Sequence, residues 1–142
     1  MFKNHKIILA VLLIALIVAG VAFATTSTTC SGDACFGSTT ATGAAINISL
    51  GWSPKYVIVS NPATTSPASL EWSTGMASAS ALRSVASGTA GAGTAGVPIV
   101  TRVTVSGISL YSGGTTTPKG FTIGADTSVN INGNTLYYRA FR

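Results

Sequence analysis

Charge is what this sequence has least of. Only 8% of its 142 residues are Asp, Glu, Lys or Arg, and the acids are Asp33, Glu71 and Asp126 alone. There is one histidine, His5, and there are two cysteines, Cys30 and Cys35. Each scarcity excludes something. Acid/base catalysis needs titratable groups held together, and here two of three carboxylates would have to converge from distant segments. Serines are abundant, but no histidine beyond position 5 could activate one, and no GxSxG elbow occurs. Two thiols cannot complete a four-ligand metal centre. The glycine-rich residues 88–96 lack the GxxxxGK[ST] pattern of a phosphate-binding loop. The sequence therefore predicts a protein that is not an enzyme and has neither cofactor nor metal.

The formal net charge is +5. Two of the lysines, Lys3 and Lys6, belong to the amino terminus, and Lys55, Arg83, Arg102, Lys119, Arg139 and Arg142 are scattered singly. Nucleic-acid recognition wants such residues clustered on one face, so no nucleic-acid partner is expected.

What is present begins with an export signature. Residues 1–6 hold two lysines, residues 7–24 run apolar without a charge, and the run ends in Ala22-Phe23-Ala24. The small residues of that triplet suit cleavage before Thr25. The run is also long enough, about 27 Å as a helix, to stay in a bilayer as an anchor. Signal peptide and retained anchor both remain open for residues 1–24. In either case the lysines hold the amino terminus inside and the rest is exported, to be secreted, or displayed on a virion or cell surface.

Just beyond, Cys30 and Cys35 enclose the turn-forming Ser31-Gly32-Asp33-Ala34, and an even cysteine count in an oxidising compartment predicts a local disulfide. The flanking Ser/Thr-rich residues have too little apolar character for a core. Residues 25–43 are expected to form a stalk around that disulfide loop.

From residue 44 the pattern becomes that of strands. Ile46, Ile48 and Leu50 alternate with polar residues, and Tyr56-Val57-Ile58-Val59 reads as a central strand covered on both faces. Leu70-Glu71-Trp72 is a third strand, while the Ala/Ser-rich residues 76–85 are open between helix and irregular structure. Ile99, Thr101, Val103 and Val105 share a face, Gly107 turns the chain into residues 108–111, and Phe121 and Ile123 pair on another strand. Val129 and Ile131 precede Asn132-Gly133, a hairpin dipeptide, with Leu136, Tyr138 and Ala140 answering. Seven or eight short strands at roughly ten-residue spacing predict an all-β domain over residues 44–142. The expected form is a single antiparallel β-sandwich, jelly-roll-like or a partly closed barrel, preceded by the amino-terminal hydrophobic helix. Trp52, Trp72, Phe121 and Tyr138 are the expected core aromatics. Tyr111, Tyr137 and Phe141 are expected to be exposed for contact, the last two sharing a face with Arg139.

Four segments, Gly51 through Asn61, Leu70 through Met76, Val105 through Ile108 and Gly120 through Asp126, together resemble small β-sandwich virion surface proteins of tailed bacteriophages, of the capsid-decoration or tail-fibre type. The resemblance covers about residues 45–142, with 136–141 looking like the closing strand. It implies a structural role on a particle surface and no catalytic residues. The export segment departs from that pattern, because such virion proteins assemble in the cytoplasm; a particle that contains a membrane would accommodate both.

The expected function is a non-enzymatic structural subunit of a virus-like particle or filament, displayed outside a membrane. Its partners would be further copies of itself or other particle or envelope proteins, with the membrane contacted through residues 7–24 if they are uncleaved. The alternative is a secreted bacterial adhesin or glycan-binding module using Tyr111 or Tyr137.

Overall fold

The computed structural model describes residues 26–62, 67–86, 98–116 and 118–142. The expected leader or anchor, the amino-terminal helix and the 88–96 loop lie outside the described residues.

The described chain is all-β, with no helix. Nine strands follow in order: β1 (Thr26–Ser31), β2 (Ala34–Thr40), β3 (Ile46–Ser49), β4 (Tyr56–Asn61), β5 (Ala68–Ser73), β6 (Ser80–Ala86), β7 (Pro98–Tyr111), β8 (Gly120–Ile123) and β9 (Thr135–Phe141). They form one nearly closed antiparallel sheet in the order β1-β2-β9-β4-β5-β6-β7-β8-β3. β8 and β9 stand five places apart in that order, yet the Phe121 and Tyr138 rings meet edge to face at 5.5 Å between centroids. The sheet has therefore curled until its two ends share one core.

Period-two alternation decides which residues enter that core. Val57, Val59, Leu70, Ile48, Ile123 and Leu136 are fully buried, and the residues between them on their strands point outward. Trp72, Phe121 and Tyr138 are core rings as expected. Trp52 is only half-buried, with the Arg142 guanidinium 5.2 Å above its ring. β4 is central, but its second face is incompletely covered, because Tyr56 and Ile58 are half-buried.

Three local expectations are corrected. The Ser/Thr-rich residues expected as a stalk form the β1–β2 hairpin, and β2 pairs along its whole length with β9. The hairpin's inward positions Cys35, Gly37 and Thr39 are small, and the Tyr138 ring from β9 fills the space they leave. The Ala/Ser-rich residues 76–85 hold no helix, and 80–85 form most of β6. Finally, Asn132-Gly133 does not join two strands. Residues 126–134 form a compact turn in which the Asp126 carboxylate accepts from the Ser128 and Val129 amides at 2.9 and 3.1 Å.

Buried Asn130 fastens that turn. Its amide donates to the carbonyls of Ala44 and Gly124 at 2.6 and 3.0 Å, and its oxygen accepts from the Thr42 and Gly43 amides. Asn61, also buried, donates to the Val129 carbonyl at 2.7 Å. Saturated in this way, the segment keeps Val129 in the core and leaves no strand for β9 to pair with there.

β7 is a single strand with a bulge. Ser80 stands opposite Ile108 while Ala81 stands opposite Val103, so residues 104–107 are extra, with Ser106 at φ 62°. Gly107 is required at this crossing: a Cβ there would lie 2.5 Å from the Ser80 carbonyl carbon.

Candidate contact face

The disulfide expected from the cysteine spacing is present, and Cys30 and Cys35 are direct cross-strand partners of the β1–β2 hairpin. It locks the hairpin that forms one border of the outer face.

Register brings the outward residues of β2, β9, β4, β5 and β6 into rows across the strands. One row runs Phe36, Arg139, Ile58, Glu71, Leu82. The next runs Ser38, Tyr137, Ser60, Ser69, Ser84, so Tyr137 is the one large side chain among serines. A third holds Phe141, Tyr56 and Ser73. The Phe141 ring lies 6.1 Å from both Phe36 and Tyr56, edge-on to the first and tilted to the second.

The aromatic side chains thus stand on β2, β9 and β4, while β5 and β6 carry serines apart from Glu71 and Leu82. Phe36 is 47% exposed, Leu82 41% and Tyr137 54%. A groove of about 590 Å³ opens on this face, with Phe36, Ser38, Ile58, Ser60, Tyr137 and Arg139 among its lining residues. The Tyr56 hydroxyl hydrogen-bonds the Glu71 carboxylate, and this, with some burial and the carboxylate's charge, raises the Tyr56 pKa above the usual tyrosine value. Arg139 is exposed and has no ion pair among the described residues.

Of the contact residues read from the sequence, the structure brings together Tyr137, Arg139 and Phe141. Tyr111 stands apart, at the end of β7 opposite Gly120 on β8, and both it and Phe141, expected to be exposed, are half-buried. Sequence reasoning missed Phe36, Ile58, Glu71 and Leu82 as members of this face. The alternation of Cys35, Gly37 and Thr39 with Phe36 and Ser38 was the available signal for the first of them.

The three carboxylates take separate partners. Asp33 faces Arg142 at 3.8 Å, Asp126 meets Arg83 at 3.3 Å, and Glu71 binds Tyr56. Among the described residues no group of three or more His, Cys, Asp or Glu could hold a metal ion, and no helix is long and apolar enough to cross a membrane.

Fold and face define the described residues as an all-β domain with an exposed aromatic sheet face. Searches of protein-family models, curated proteins and solved structures found no match to the chain.

Proposed function

We propose that this chain is a non-enzymatic structural subunit displayed outside a membrane on a virus-like particle or filament. In this reading the sheet is a jelly-roll-like sandwich or partly closed barrel whose outer face makes the contacts. The observation that carries the reading is the row-by-row surface of exposed Phe36, Tyr137 and Arg139 beside half-buried Phe141, since exposed aromatics flanked by little charge suit protein contact. The export signature and the disulfide support a location beyond the bilayer, and the resemblance of four segments to phage surface proteins supports the particle.

The test is to express the chain with its export segment, then follow its fractionation, intact mass and assembly by electron microscopy. Ordered assemblies outside the cytoplasm are expected. A reduced, unassembled protein in the cytosol would remove the reading.

The groove beside Tyr137 favours a second reading, a glycan-binding surface module. An exposed ring bordered by serine hydroxyls offers a stacking platform with hydrogen-bonding neighbours. Glycan-array binding lost in Tyr137→Ala would support it; an array without signal would count against it.

A further inference from the structure

The outer face is self-complementary about its central strand. Ile58 on β4 stands midway in its row between Arg139 on β9 and Glu71 on β5, and one strand further out are Phe36 on β2 and Leu82 on β6. We propose that two copies of this chain pack these faces together about a two-fold axis running along β4, so that Arg139 of each protomer lies over Glu71 of its partner. The proposal rests on the reading of this face as a contact surface and adds the identity and geometry of the occupant.

The geometry follows from the register. A two-fold axis lying between two facing sheets and parallel to β4 carries each position on one side of β4 onto the equal position on the other side, in the same row. Arg139 and Glu71 are one strand from β4 in opposite directions, so both copies of the pair form at once, with Ile58 against Ile58 between them. Phe36 and Leu82, two strands out, meet in the same way. In the neighbouring row Tyr137 meets Ser69 and Ser38 meets Ser84; in the third, Phe141 meets Ser73. Each large side chain faces a small or matching one, as an isologous interface requires.

Two further observations favour a second copy over an unrelated partner. Arg139 and Glu71 are the charges nearest the centre of the face, of opposite sign, and no ion pair joins them within the chain. Two strand spacings, about 10 Å, separate their backbones. From Phe36 to Leu82 the patch is only about 19 Å wide, so association in solution should be weak and should strengthen where copies are confined on one surface.

The experiment is a charge exchange read by sedimentation equilibrium, on the full chain purified in mild detergent. The single variants Arg139→Glu and Glu71→Arg should each dimerise at least ~10-fold more weakly than the parent, since each places like charges opposite one another. The double variant should recover the parent's affinity. An equimolar mixture of the two single variants should form heterodimers, because the two introduced charges, opposite in sign, then face each other, and the unaltered Arg139 of one protomer meets the unaltered Glu71 of the other. Raising the salt concentration should weaken the parent dimer.

Dimers that form equally well in both single variants, or a double variant that fails to recover, would overturn this docking geometry while leaving a structural role through the sheet edges intact. A parent chain that stays monomeric in detergent and also fails to assemble on membranes would overturn both. Circular dichroism of each variant, expected to match the parent, separates lost pairing from lost folding.

Discussion

Gly37 on β2 stands directly opposite Tyr138 on β9, and the tyrosine ring lies over the glycine and ends at β1. There its hydroxyl donates to the Ser27 carbonyl at 3.2 Å and hydrogen-bonds the Thr28 hydroxyl. One core ring thereby ties three strands together, and it can do so only because the residue beneath it has no side chain.

Gly37→Ala should accordingly be costly. A methyl group would overlap both the Ser27 carbonyl and the Tyr138 ring, so either the ring or β1 must move. A loss of about 2–3 kcal/mol is expected from such overpacking, measured by urea denaturation. Near-parent stability would show that the ring does not occupy this place.

Tyr138 should also give the fold a sensitivity to alkali. Burial raises its pKa above the usual tyrosine value, partly offset by the hydrogen bond from Thr28. Because the folded pKa is the higher, the unfolded chain loses the phenolic proton first. Stability is then unaffected below about pH 10, the unfolded value, and falls as the pH rises through the folded pKa. Tyr138→Phe should lose about 1 kcal/mol near neutrality with its hydrogen bonds, yet show a shallower decline above about pH 10. Parallel alkaline declines in the two proteins would contradict this.

Asp126 joins two tasks, capping the turn and receiving Arg83 at 3.3 Å, at a site where it is only 4% exposed. Asp126→Ala leaves two amides and a half-buried guanidinium without their partner and should cost about 3 kcal/mol. Asp126→Asn keeps an oxygen for the amides and should cost clearly less. Equal losses would mean that the ion pair, and not the cap, dominates.

The disulfide closes a short loop, so its contribution should be modest. Replacing both Cys30 and Cys35 with serine should lower stability by about 2 kcal/mol. Reductant should lower the parent's stability similarly and leave the double variant unchanged, as read by thermal unfolding.

Much of the sheet was legible from alternation alone. Ile46 with Ile48, Phe121 with Ile123, and Leu136 with Tyr138 and Ala140 declare their inward faces by period two, and the structure keeps those assignments. The β1–β2 hairpin was not legible as part of the sheet, because its own residues contribute so little apolar surface. The ring that covers it comes from β9, about 100 positions further along. Asn132-Gly133 misled for a related reason: the buried amides of Asn61 and Asn130 claim the neighbouring backbone and override a local turn preference.

The contact face divides along the same line. Tyr137, Arg139 and Phe141 share a side because they are spaced by two on one strand, a relation any reader of the sequence can state. Their union with Phe36, Ile58, Glu71 and Leu82, and the separation of Tyr111, depend on which strand lies beside which and in what register. Alternation is a property of consecutive residues and is written locally. Strand order and register are set by burying one shared core across distant segments, so only the tertiary structure decides them.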